Sequence, residues 1–262
     1  MTSRQEAKKM AEHIKDSGSE VQRSFKRKEK KYLLDASQFE MLWDSVKDRL
    51  LMDEYGTTTI MSIYYDDNDF SLIGRSADKP FYKEKFRLRS YGVPDDESTV
   101  FAEIKKKYDG IVYKRRVAGT YQQIIGLLEE GRTLDHDLQI QKEIMWVMKR
   151  YQLEPAAFIG YERTAYSSPA DPGFRLTFDS DIRYRLTDLD LRKGSQGIPL
   201  REPGFRIMEV KTEGGVPLRF AKALSENRIY PGSFSKIGTC YKEVIIPGMY
   251  AGHGTDRRVK NV

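Results

Sequence analysis

The chain contains a single cysteine, Cys240, so no disulfide can form within it. That excludes a disulfide-stapled secreted scaffold and points to a reducing compartment. Three scattered histidines, His13, His136 and His253, give His/Cys zinc chemistry too few ligands. No apolar run approaches the roughly 20 residues that span a bilayer. The opening stretch MTSRQEAKKMAEHIKDSGSE has no apolar signal core. These absences predict a soluble, cytoplasmic protein that would reach a membrane only through a partner. Internal repeats and low-complexity tracts are also missing, and no Ser, Cys or His nucleophile is evident.

What is present is charge. Of 262 residues, 45 are Lys or Arg and 39 are Asp or Glu, a net charge of +6. The length fits one large domain. With a surplus this modest, the placement of charge says more than its total.

Residues 1–23 read as a polar extension and 249–262 as a flexible tail, leaving 24–248 as the domain. RKEKKYLLD (27–35) alternates as a strand. The following segment spaces Phe39, Leu42, Trp43, Val46, Leu50 and Leu51 helically. Ser37 is its expected N-cap, with Glu40 three residues on and Gly56 as its end. TTIMSIYYDD (58–67) is β-branched and aromatic. Further strands are expected at 82–91, 99–108 and 111–118, the last two joined by Asp109-Gly110 as a hairpin. Helices follow at TYQQIIGLLEEG and at LQIQKEIMWVMKRYQL, the second turning Ile140, Ile144, Val147 and Met148 inward. Strands recur at 157–166, 173–185 and 205–212, with a helix at 216–226 and a short helix or turn at 235–244. Hairpin-rich connections without strand–helix–strand alternation predict an α+β fold, an antiparallel barrel or sandwich with flanking helices.

The charge follows strand periodicity. Arg27, Glu29 and Lys31 share a face. So do Lys85, Arg87 and Arg89; Glu103, Lys105 and Lys107; Arg175, Thr177 and Asp179; and Glu209 and Lys211. Arg163 lies in a sixth strand. Same-face neighbours along a strand are about 7 Å apart, and across strands about 5 Å. The opposite faces carry Val100, Ala102 and Ile104; Phe174, Leu176 and Phe178; Met208 and Val210. One wet sheet face would explain any single strand. Six such faces dominated by Lys and Arg imply an anion among them, because like charges side by side repel. A few carboxylates in a basic lumen suit a polyphosphate with a divalent metal.

The motifs KEKKYLL, YYDD, FRLRSYG, FAEIKKKYDG with YKRR, YERTAY, RLTFDSDIRYR, IMEVK and SKIGTCY occur in that order. Together they resemble the polyphosphate polymerase domain of the vacuolar transporter chaperone (VTC) family, within the triphosphate tunnel metalloenzymes. The resemblance runs from about residue 24 to 245. It implies an antiparallel eight-stranded β-barrel tunnel with a basic interior. It also implies transfer of the ATP γ-phosphoryl group onto a growing polyphosphate chain, with Mn²⁺ or Mg²⁺. By motif, Lys31, Arg87, Arg89, Lys105, Arg163 and Arg175 would contact phosphate and carry catalysis. Lys211, Lys236 and one basic residue of YKRR, for which Arg115 is favoured over Lys114, would bind further phosphates. Glu209 is the implied metal ligand, and Glu29 and Glu103 are either further ligands or counter-charges. Asp179 either lines the tunnel or caps a turn. Tyr64 and Tyr65 read as wall packing.

One departure stands out. The wider superfamily carries E-x-E-x-K on its first strand, whereas RKEKK places Arg27 at the first glutamate position. A more cationic site suits a long anionic product, hence a polymerase over a hydrolase or cyclase. The chain resembles a stand-alone bacterial form, in which regulation or export would need another, membrane-borne, chain. The rival readings are a triphosphatase using water as acceptor in the same cradle, and a non-catalytic polyanion binder. An RNA partner is disfavoured, because the basic strands interleave Leu, Ile and Ala where RNA modules offer aromatic platforms.

Overall fold

The computed structural model describes residues 28–77, 81–109 and 111–252. Arg27, Gly110, the extension expected at 1–23 and residues 253–262 of the tail expected at 249–262 lie outside them.

Strand β1 (Lys28–Leu34) leads into helix α1 (Ala36–Val46). The helix starts on a capping box, but from Asp35 and Gln38 instead of Ser37 and Glu40. The Gln38 backbone N–H donates to the Asp35 carboxylate at 2.8 Å, the same three-residue spacing moved two positions upstream. The helix also ends early. Leu50 and Leu51, which fit a helical period, precede and open a 16-residue strand, β2 (Leu51–Asp66). Gly56 is no helix stop: it sits at φ +59 inside a register break between Met52 and Thr57. A bulge needs that left-handed residue, and glycine adopts it without strain.

Helix α2 (Ser71–Ala77) precedes β3 (Tyr82–Tyr91), β4 (Thr99–Tyr108) and β5 (Ile111–Thr120). Tyr108 stands opposite Ile111, so the hairpin forms as expected. Helices α3 (Tyr121–Glu130) and α4 (Leu138–Tyr151) lead to β6 (Glu154–Ser168) and β7 (Asp171–Arg185). Two-residue β8 (Ile198–Pro199), β9 (Arg206–Thr212), α5 (Leu218–Glu226), two-residue β10 (Pro231–Gly232) and α6 (Lys236–Cys240) follow. A last helix, α7 (Ile246–Gly252), occupies residues 249–252, the start of the expected tail.

All ladders are antiparallel, in the order β10-β1-β9-β7-β6-β2-β3-β4-β5, with β8 on β7. Eight long strands are present among the described residues, as the resemblance implied. The ring of hydrogen bonds, however, is not closed: among the described residues no ladder joins β1 to β5. The structure is therefore a strongly curled ten-stranded sheet, not a continuous eight-stranded barrel.

The apolar strand faces pack under helices. Phe86, Leu88, Ala102 and Ile104 form a core with Ile124 of α3 and Ile144 and Val147 of α4. Leu176, Phe178, Met208 and Val210 pack with Leu42 of α1 and Phe220 of α5. A third cluster lies on the other side of the sheet, where Ile60, Ile159 and Ile207 meet Ile237 and Cys240 of α6. These residues bound one end of the charged face with an apolar plug.

Candidate active site

Residues directly opposite each other in an antiparallel pair share a face. From β1, Glu29 faces Lys211 and Lys31 faces Glu209 of β9. Lys211 and Glu209 face Arg175 and Thr177 of β7. Asp179, two residues along, faces Arg163 of β6, which faces Thr58 of β2. Higher on β2, Ser62 and Tyr64 face Arg89 and Arg87 of β3. Lys85 and Arg87 face Lys105 and Glu103 of β4, and these face Lys114 and Arg116 of β5. The charged positions form one continuous face from edge to edge.

Curling makes that face an interior. Arg163 reaches past β7 to Glu209 of β9, at 3.5 Å. Lys105 on β4 feels the charges of Lys31 and Glu29 on β1, although β9, β7, β6, β2 and β3 lie between them along the sheet. Lys114 on β5 likewise feels Glu29.

The carboxylates are each gripped by cations. Asp179 is fully buried and accepts from Arg163 Nε at 2.6 Å and Nη2 at 2.8 Å, a bidentate fork. It also accepts from Lys236 Nζ. Glu209 pairs with Lys31 at 2.9 Å. Glu103 accepts from Arg87 at 2.7 Å, with Arg89 at 3.8 Å. Arg87 Nη1 also donates to the Tyr64 hydroxyl at 3.0 Å.

Burial would push these acids up, but their partners win. Lys31 and Arg163 hold Glu209 well below the carboxylate range. Lys236 and Arg163 lower Asp179, and Arg87 and Arg89 lower Glu103. The lysines divide in two. Burial works against the charge on Lys31, yet Glu209 outweighs it and the pKa is raised. Lys105 and Lys114 are lowered, by burial first and then by neighbouring cations. Lys211 is lowered too, because burial outweighs Glu209 and Glu29. Lys85 falls to about 8, through burial and then Lys83, Lys105 and Arg87, against the opposing pull of Tyr64. Burial works to raise the Tyr64 phenol, but Arg87, Lys85 and Arg89 bring it down to about 8. The charged face holds more positive charge than its acids neutralise.

This has a pH consequence. An anion against Lys85 favours its charged form and returns the pKa toward the ordinary lysine value. Between about pH 8 and 10.5 the free protein has lost protons that the complex keeps, so binding takes protons up. Affinity for tripolyphosphate is expected to fall as pH rises through this window, roughly tenfold by pH 9. Titration calorimetry in two buffers of different ionisation heat reads the uptake, and Lys85→Met should diminish it.

The structure brings Lys31, Arg87, Arg89, Lys105, Arg163, Lys211, Glu209, Glu103 and Glu29 onto the interior face, and Lys236 reaches it from α6. Arg175 shares the face but stands at its open rim, largely exposed and paired with Asp53 at 2.7 Å. Arg115 is a correction. It stands opposite Ile104, on the helix-covered side, 3.3 Å from Glu143 of α4. Lys114 and Arg116 take the interior positions. Arg115→Ala should therefore leave tripolyphosphate affinity unchanged, while Lys114→Ala weakens it several-fold in an equilibrium binding assay.

The expected metal set is not gathered either. Glu209, Glu103 and Glu29 each sit with their own cations. No group of three or more His, Cys, Asp or Glu side chains placed to hold a metal occurs among the described residues. The residues fit only an ion arriving on the phosphate, since Mg²⁺ takes one or two protein carboxylates plus substrate oxygens. Glu209 would serve.

Asp179 was expected either to line the tunnel or to cap a turn, and Lys114 was the less favoured residue of YKRR; Lys85, Arg116 and Tyr64 were not among the expected site residues. Residues 26–245 match the VTC domain. The chain belongs to the VTC domain family. Its VTC domain is 24% identical over 200 residues to the vacuolar transporter chaperone complex subunit 4 of Trypanosoma brucei brucei, covering 64% of this chain and 25% of that protein. The same subunit of Trypanosoma cruzi is 21% identical over 223 residues, covering 72% and 28%. The chain thus spans about a quarter of the length of these relatives. Among solved structures, a candidate adenylate cyclase of Bacillus halodurans overlaps with a TM-score of 0.48 at 15% identity, covering 79% of this chain and 92% of that one. A Mimivirus capping-enzyme triphosphatase overlaps at 0.30 and 9%, covering 86% and 95%. At that level the overlaps add nothing to the family assignment.

Proposed function

We propose that this VTC domain is a polyphosphate polymerase, a phosphotransferase that moves the γ-phosphoryl group of ATP onto a growing chain. The observation that carries the reading is the under-neutralised charged face, where half-buried Lys85 and Lys211 and the more open Lys105 and Lys114 all have lowered pKa. A polyanion is the ligand that relieves this.

Phosphoryl transfer needs positioning and charge neutralisation more than a covalent catalyst. Arg87 and Arg89, on alternate positions of β3, would fork the transferred group. Lys31 and Arg163, tethered to Glu209 and Asp179, would hold neighbouring phosphates. Lys85, Lys105, Lys114 and Lys211 would line the path of the chain. A divalent ion, Mn²⁺ or Mg²⁺, would add charge neutralisation at the phosphate oxygens when bound.

Incubating the protein with ATP and Mn²⁺ and resolving the products by length tests the reading. Chains of many phosphates are expected. Free phosphate alone would replace the polymerase by a triphosphatase, and no ATP turnover would leave a polyanion binder.

A further inference from the structure

The β4–β5 hairpin projects from the sheet, because Ile111–Arg116 are exposed on both faces of the strand. Its outer face is aromatic. Tyr82 stands opposite Tyr108, Tyr108 opposite Ile111, and Tyr113 opposite Lys106. Phe81, 62% exposed, packs edge-on against Tyr108 at 4.7 Å between ring centres. Glu143 of α4 pairs with Lys106 at 2.8 Å and Arg115 at 3.3 Å, bringing α4 alongside this face. One turn further on α4, Trp146 is 53% exposed, with the Arg150 guanidinium 4.9 Å from its ring. Neither the core nor the charged interior uses these rings.

We propose that this projecting hairpin, with Trp146 beside it, docks on the surface of a bilayer rich in anionic lipid. Exposed large apolar side chains gathered in one place mark an interaction site. The chemistry here is that of an interfacial anchor: Tyr and Trp have apolar bodies and polar edges that suit the headgroup region. Cations surround them. Arg150 lies on the outer side, as does Arg115, which is paired with Glu143, while Lys107, Lys114 and Arg116 stand on the inner face of the same exposed hairpin. Against them stand Asp109 at the turn and Glu84 and Glu143, the last two both paired with Lys106. That balance complements anionic headgroups. A hairpin exposed on both faces is a wedge that a fluid surface admits, whereas a rigid protein partner would need a matching groove. The inference is independent of whether the interior polymerises phosphate.

The test uses the full chain with vesicles of phosphatidylcholine alone or with about a third phosphatidylglycerol, read by co-sedimentation and by tryptophan emission. Binding to the anionic vesicles and a blue shift are expected. Ile111→Asp with Tyr113→Asp should cut that binding at least about tenfold, as two charges are driven into the interface. ATP turnover in the absence of vesicles should not change. Failure of the wild-type chain to bind, or equal binding by the double variant, overturns the proposal. Equal binding abolished by tripolyphosphate would assign it to the interior lysines instead. Loss of a self-association on substitution, without vesicle binding, would assign the face to a protein contact.

Discussion

Asp179→Asn is expected to lower the melting temperature by on the order of 10 °C in the absence of ligand. Asp179 is buried and accepts from both Arg163 and Lys236. The amide keeps the volume but removes the charge, leaving two cations facing each other in an interior already short of acids. Breaking a buried pair from one side costs about 3–5 kcal/mol, and each kcal/mol is worth roughly 2–4 °C in a chain of this size. Tripolyphosphate should stabilise the variant more than the wild type, because the anion replaces the missing carboxylate. Thermal unfolding with and without tripolyphosphate reads both effects. An unchanged melting temperature would mean that Arg163 and Lys236 are solvated, and the buried-interior account would fail.

Arg89→Ala should do the opposite, sparing the fold and removing the chemistry. Arg89 adds a cation to a surplus, and Glu103 keeps its 2.7 Å pair with Arg87 without it. Stability should stay equal to wild type or rise slightly. Turnover of ATP with Mn²⁺ should fall by about 10²–10³, the usual loss when one preorganised charge-stabilising donor is removed. The measurement is initial rate at saturating ATP beside the melting temperature. Normal turnover would remove Arg89, and the assignment of the interior as the reaction site with it.

The two variants probe different parts of one arrangement, and the sequence showed those parts unequally. Arg89 was legible because FRLRSYG alternates: the period of two puts Arg87 and Arg89 together and Phe86 and Leu88 on the other side. The structure keeps that division, with Phe86 and Leu88 fully buried. Asp179 was legible as a same-face neighbour of Arg175, but not as a partner. Its importance depends on β6 lying beside β7 in a register that sets Arg163 opposite it.

The choice between Arg115 and Lys114 was decidable from a signal already present. A hairpin expected from the Asp109-Gly110 dipeptide implies Tyr108 opposite Ile111, hence Lys105 opposite Lys114 and Ile104 opposite Arg115, which is the register observed. Weighing the motif alone missed this. Gly56 misled for a different reason. A glycine past an apolar helical period reads equally as a helix stop or a strand bulge. Only pairing with β6 along β2 distinguishes them, and that partner lies about a hundred residues away in the chain.

Alternation and hairpin spacing are local, so the sequence alone determined most of the long strands, which of their faces is charged, and through its motifs the family. It could not determine which charges meet. The order β1-β9-β7-β6-β2-β3-β4-β5 joins strands distant in the chain, and curling sets Lys31 and Lys105 close enough to repel. Coulomb energy depends on separation in space and on burial. The grip on Asp179, the lowered lysines and the absence of a β1–β5 ladder among the described residues were therefore decided only by the tertiary structure.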